Sequence, residues 1–175
     1  MAQKGDVKRL WAPWRLAYIA SARKPDPKGC LFCRLRRSST HSQDQIITRG
    51  RVAFSVLNRY PYNNGHLLVV PNRHVSRLEA LSEEEWLDLF SLTKDALARL
   101  EKVLKPHGYN LGINLGRAAG AGIPGHLHLH IVPRWSGDVN FMPVISGTRV
   151  ISQSLACAHK LLTRSAASRS KKRQR

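Results

Sequence analysis

His126-Leu127-His128-Leu129-His130-Ile131-Val132 alternates imidazole and aliphatic side chains without interruption, and it restricts the chain more than any other segment. An extended strand sends alternate side chains to opposite faces, so the three histidines share one face while Leu127, Leu129 and Ile131 fill the other. Successive imidazoles on such a face stand about 7 Å apart, near enough to act on adjoining atoms of one ligand or to divide between a metal and a substrate. A half-buried strand with a polar face would account for one histidine. It gives no reason for three of the chain's eight in register.

The segment before it, Gly116-Arg117-Ala118-Ala119-Gly120-Ala121-Gly122-Ile123-Pro124-Gly125, has no Walker lysine and opens no helix. It is neither a P-loop nor a dinucleotide fingerprint. Small residues still let backbone N–H groups turn inward towards an anion. A glycine-rich loop running into a histidine-lined strand reads as a phosphate cradle beside nucleophiles.

Coarse periodicity gives an α+β pattern. Ile46–Thr48 and Val52–Leu57 read as strands; a turn rich in Pro, Asn and Gly over residues 58–65 leads to a return strand, His66–Val70. Ser82-Glu83-Glu84-Glu85 is a capping box, and Trp86, Leu89, Phe90, Leu97, Leu100 and Leu104 follow at helical spacing until Pro106 and Gly108 stop it. Tyr109–Leu115 and His126–Val132 are further strands, and Ile151–Leu162 a shorter helix. The expected fold is an antiparallel sheet with one long and one shorter helix. It divides into an N-terminal arm (1–44), a catalytic domain (45–162) and a basic, disordered tail (163–175).

Cys30-Leu31-Phe32-Cys33 is a CxxC, pointing to metal binding or redox chemistry ahead of a structural disulfide. Arg34, Arg36 and Arg37 would favour thiolates, yet no strand precedes the pair and no convincing helix follows it. CxxC is half a zinc site, so histidines elsewhere must complete it. Cys157 reads as a small core residue.

These segments resemble the histidine triad (HIT) family of nucleotide-binding proteins, whose signature is His-φ-His-φ-His-φ-φ with φ apolar. Leu57-Asn58-Arg59-Tyr60-Pro61-Tyr62-Asn63-Asn64-Gly65-His66-Leu67-Leu68-Val69-Val70-Pro71 is similar to the family's ribose-binding segment, turn, Gly-His and strand; Gly112–Gly116 and Pro133-Arg134-Trp135 also fit. Leu10-Trp11-Ala12-Pro13-Trp14-Arg15, with residues 58–63, resembles the diadenosine tetraphosphate phosphorylase (ATP adenylyltransferase) branch. The resemblance implies a HIT fold, a homodimer, and a nucleotidyl transferase or hydrolase that cleaves dinucleoside polyphosphates through a nucleotidyl-histidine. It puts the nucleophile at His128, phosphate contacts at His130 and His66, non-bridging oxygens on Asn114 and on N–H groups near Gly122, and ribose hydroxyls on Asn58. It also nominates Cys30, Cys33, His74 and His126 as ligands of a structural zinc, with no organic cofactor. One departure stands out: many HIT hydrolases carry Gln or Ser where this chain has Gly122, so backbone donors must serve there, and the second acceptor, phosphate or water, stays open.

Charge supports a polyanionic ligand without choosing one. The chain carries +18 at neutral pH with a pI near 10.9, which suits a polyphosphate and also suits nucleic acid. A nucleic-acid-associated or nucleotide-sensing HIT protein, including a DNA deadenylase, is therefore the alternative, with weak nucleic-acid binding through the tail. Trp11, Trp14 and Tyr18 suggest an arm packed on the domain or dimer rather than base stacking. Without a signal peptide or a long apolar run, the expectation is a cytoplasmic protein with no membrane contact.

Overall fold

The computed structural model describes residues 29–38, 45–138, 151 and 153–170, the side chains of the last helix as far as Arg164. Trp11, Trp14 and Tyr18 lie outside the described residues. Among the described residues the elements follow in order: α1 (Leu31–Arg37), β1 (Ile46–Arg49), β2 (Ala53–Leu57), β3 (Leu67–Pro71), a 3-10 turn (Leu78–Ala80), α2 (Glu83–Leu104), β4 (Gly108–Ile113), β5 (Leu129–Arg134) and α3 (Leu155–Ser170). The strands form one sheet in the order β1-β2-β3-β5-β4, every neighbouring pair antiparallel. The α+β expectation holds.

The sheet is covered on both faces, which is why β2 and β3 are buried at every position. On one face Ala53, Leu57, Leu67, Val69, Leu127, Leu129 and Ile131 join Leu89, Leu92, Ala96 and Leu100 of α2 and Ala158 and Leu162 of α3 in the larger core. On the other, Phe54, Val56, Leu68 and Val70 meet Ile46 and Phe32 of α1. Alternation along each strand thus serves two cores. Buried aliphatic area, at roughly 25 cal/mol per Å², is the main stabilising term in both.

Several local expectations are met and several corrected. The capping box forms: Ser82 Oγ accepts from Glu85 N–H at 3.2 Å, and the Glu85 carboxylate accepts from Ser82 N–H at 2.9 Å. Lys105 then ends α2 in a left-handed conformation. Phe90, expected on the buried stripe, is 57% exposed and stacks on Trp86 at 5.8 Å; Leu92, Thr93 and Ala96 face the core instead. α3 runs eight residues beyond the expected end at Leu162, because Ala158 and Leu162 anchor it against α2 and β1 and the Ser/Ala/Arg stretch that follows tolerates helix. Cys157 faces solvent rather than the core. A helix does follow the CxxC: α1 starts between the two cysteines and buries Phe32. Phe32 of α1 thus joins the sheet's second core, so the CxxC segment packs on the sheet.

Candidate active site and metal cluster

β5 begins at Leu129, so only His130 of the three triad histidines lies on a paired strand; His126 and His128 precede it in an extended lead-in anchored by the Leu127 N–H to the Val75 carbonyl at 2.6 Å. The alternation survives. Leu127, Leu129 and Ile131 enter the larger core, while His126 and His128 turn to Phe32 and the smaller core. The rings of His128 and His130 come within 4.9 Å, centroid to centroid, closer than strand spacing alone gives because the side chains lean together.

Backbone and neighbouring groups fix the tautomer of each imidazole. His128 Nδ1–H donates to the His126 carbonyl at 2.8 Å, which leaves Nε2 with a lone pair. His126 Nε2–H donates to the Pro71 carbonyl at 2.9 Å, leaving Nδ1 free to bind a metal. His66 Nδ1 accepts from Tyr62 N–H at 3.0 Å and lies 3.3 Å from the Asn58 amide. Its Nε2–H therefore donates to His130 Nδ1 at 3.0 Å. The proton of His130 must then sit on Nε2, the buried side-chain polar atom without a partner among the described residues. An unsatisfied buried donor costs stability, and a ligand oxygen would satisfy it.

Burial lowers the pKa of all three triad histidines. For His130 burial, then the neighbouring His128, brings it to about 4; for His126 and His128 burial is the leading cause, opposed by the backbone hydrogen bond each makes. Neutral imidazoles at cellular pH follow, the state in which Nε2 of His128 is nucleophilic.

Gly65 makes the approach of His66 feasible. At φ +71° an added Cβ would lie 2.5 Å from Leu104 Cδ1 and 3.0 Å from Leu100 Cδ2, so only glycine lets the turn sit against α2 and deliver His66. Tyr62, which composition does not single out, stacks parallel to His130 at 5.9 Å and covers His66 at 4.8 Å. Its turn is tied down by Asn63, which donates to Asp138 at 2.7 Å and to the Pro133 carbonyl at 3.1 Å. Asp138 in turn is clamped by Arg134, which with help from Trp135 N–H and Asn63 pulls its carboxyl down to about 2.

The remaining sequence candidates are distributed around this centre. Asn114 sits one residue past the end of β4, half-buried. Gly122 is half-buried in the loop before the triad, where Gly120 and Ala121 use their N–H groups on the carbonyls of Arg117 and Gly116 and close the loop on itself. Asn58 holds Tyr60 N–H through Oδ1.

Cys30, Cys33, His74 and His126 converge with their donor atoms within 4.8 Å of one another. Cys30 Sγ is 3.3 Å and Cys33 Sγ 3.7 Å from His126 Nδ1, and Cys33 Sγ is 3.4 Å from His74 Nδ1. A tetrahedral zinc with bonds of about 2.3 Å to sulfur and 2.0–2.1 Å to nitrogen has S···N edges of about 3.6 Å. The donor set fits such an ion. Burial, with the adjacent Cys30, raises the Cys33 thiol, and Arg37 and Arg36 oppose this without prevailing.

The HIT domain model matches residues 39–137. The chain is 42% identical over 168 residues to an AP-4-A phosphorylase of Mycobacterium tuberculosis, covering 93% of this chain and 86% of that protein. It is 37% identical over 94 residues to the asymmetrical bis(5'-nucleosyl)-tetraphosphatase of Schizosaccharomyces pombe, covering 54% and 51%. Among solved structures, a Zn-bound histidine triad family protein from Mycobacterium smegmatis superposes with a TM-score of 0.65 at 23% identity, covering 82% of this chain and 97% of that one. The chain belongs to the HIT family, on the strength of its domain match and of a relative alike along almost its whole length.

Proposed function

We propose that the protein cleaves dinucleoside polyphosphates of the diadenosine tetraphosphate type through a nucleotidyl-His128 intermediate. The observation that carries this is the His128 Nδ1–H bond to the His126 carbonyl, which leaves Nε2 as the free nucleophilic nitrogen inside the triad. The 42% identity to an AP-4-A phosphorylase supports the substrate class.

His128 Nε2 attacks the α-phosphorus, an N–P bond forms, and the bond to the bridging oxygen breaks to release ATP. The second acceptor then attacks the same phosphorus and frees His128. Phosphate as acceptor yields ADP, and water yields AMP. Negative charge on the phosphates must be neutralised for the attack to proceed. His130 Nε2–H, buried and without a partner among the described residues once the Tyr62–His66–His130 hydrogen bonds are made, is assigned to a non-bridging oxygen. Asn114 and the Gly122 N–H are assigned to the other phosphate oxygens, and Asn58 to the ribose hydroxyls. Cys30, Cys33, His74 and His126 hold a structural zinc, which fastens the start of α1 to the strand end that carries the triad.

In this reading the protein is a cytoplasmic homodimer; no helix among the described residues is long and apolar enough to cross a membrane. The deciding experiment is product analysis after incubation with diadenosine tetraphosphate, with and without inorganic phosphate. ADP plus ATP, dependent on phosphate, marks a phosphorylase. AMP plus ATP marks a hydrolase, and an intact substrate in both conditions overturns the assignment.

A further inference from the structure

Phe32 stands between the two cysteines of the metal cluster and is 2% exposed. Its ring meets His126 edge-on at 5.3 Å and 72°, and meets His128 at 5.2 Å and 47°. The same ring packs in the smaller core with Ile46, Phe54, Val56, Leu68 and Val70, against which Ile123 of the glycine-rich loop also rests. One side chain thus touches the metal-facing histidine, the candidate nucleophile and the core that supports the phosphate-side loop.

Among the described residues the His128 imidazole makes one hydrogen bond, from Nδ1–H to the His126 carbonyl. A single hydrogen bond leaves rotation about the Cβ–Cγ bond soft, since that torsion is broad and two-fold. Flat rings packed beside the imidazole restrict this freedom: His130 at 4.9 Å and Phe32 at 5.2 Å, of which Phe32 is the one anchored outside the triad. The Phe32 ring is itself set from two sides, by Cys30 and Cys33 gathering on His126 and His74 and by α1 starting between the cysteines.

We infer that Phe32 is a positioning residue: clasped by the CxxC, it presses on His126 and His128 and holds the His128 imidazole with Nε2 towards the phosphate. This rests on His128 being the nucleophile. It adds a link that the metal ligands and the triad do not contain on their own, because Phe32 is neither a metal ligand nor a phosphate contact, yet its ring lies against the nucleophile. Misplacing a reacting group by about 1 Å costs on the order of a hundredfold in rate.

The test compares Phe32→Ala and Phe32→Leu with the wild type. Turnover of diadenosine tetraphosphate, zinc per chain and the nitrogen-15 signals of the histidine side chains are measured on each. Expected are kcat lowered by about ten- to a hundredfold in Phe32→Ala, a smaller loss in Phe32→Leu, KM within about threefold, and zinc content retained. The His128 signals should change from one Nδ1–H tautomer to an exchange average. Phe32→Leu keeps most of the apolar volume and carries the test if Phe32→Ala fails to fold. A zinc-loaded variant with kcat within twofold of wild type, a loss confined to KM, or unchanged His128 signals overturns the inference. His128→Ala is assayed alongside: if it is active, the nucleophile assignment fails instead, and the nitrogen-15 signals alone decide whether Phe32 orients that ring.

Discussion

Arg73 grips Glu85 through both oxygens, at 2.9 and 2.7 Å, and the same carboxylate accepts from Ser82 N–H at 2.9 Å. One buried acid therefore closes the N-terminus of α2 and anchors the residue that precedes the metal-facing His74. Its carboxyl is held below the usual range chiefly by the Arg73 hydrogen bonds, against the opposing effect of burial. Charged, two-pronged pairs of this kind are the stronger hydrogen bonds in proteins.

Glu85→Gln should weaken both tasks at once, because the amide keeps the shape and loses the charge and half of the acceptor capacity. A fall in Tm of about 2–6 °C is expected, together with a lower metal content at limiting zinc. With a depressed folded-state pKa, Glu85 stabilises the fold above its unfolded value of 4.5, and that contribution fades as pH falls through the lower folded value. An unchanged melting temperature and metal content would show the pair to be idle.

Acid should destabilise the protein through His130. Its folded pKa of about 4 lies below the free value of 6.5, so between these pH values the unfolded chain binds a proton that the folded one refuses. Stability then rises with pH across that window and is lost as pH drops from 6.5 towards 4. Thermal melts at pH 7 and pH 5 should differ less for His130→Asn than for wild type. Equal slopes would refute the assignment.

The purified protein should carry about one zinc per chain. Cys33→Ser should lower metal content and Tm together, since structural zinc contributes directly to folding free energy. Binding must release a proton from the raised Cys33 thiol, so affinity should fall as pH falls. Metal analysis of the wild-type and variant proteins settles both points.

His128→Ala should reduce turnover by several orders of magnitude while nucleotide affinity stays within a few-fold, because the remaining phosphate and ribose contacts lie outside that ring. His130→Ala and His66→Ala should be milder. Trapping the α-labelled enzyme and mapping the modified residue checks the order: label on His130 or His66 would reverse the roles.

Ending the chain after Ser170 removes four cationic side chains, Lys171, Lys172, Arg173 and Arg175. Turnover of a small dinucleotide should hold, while any binding to single-stranded nucleic acid at low salt should weaken and lose salt dependence. Cutting at Leu162 would be a poorer test, since Leu162 is fully buried and its carbonyl accepts from Arg99.

Local chemistry made much of this protein readable from the chain. Ser82 and Glu85 announce the start of α2 because a capping box satisfies its own donors. Pro, Asn and Gly over residues 58–65 announce the turn before His66, and the alternation from His126 to Val132 assigns Leu127, Leu129 and Ile131 to the core whatever the strand's exact length. The CxxC and His126 could be nominated together, but only by resemblance. Tertiary structure alone decided which atoms meet. His66 reaches His130 across 64 residues, and Arg73 finds Glu85 by the path of the chain between β3 and α2. Phe32 looked like any apolar residue between two cysteines, and Phe90 like a core position. Sequence periodicity reports which residues can share a face; it carries no information on which second element covers that face, and packing put Phe32 on the sheet's second core and Leu89, Leu92 and Ala96, not Phe90, in the larger one.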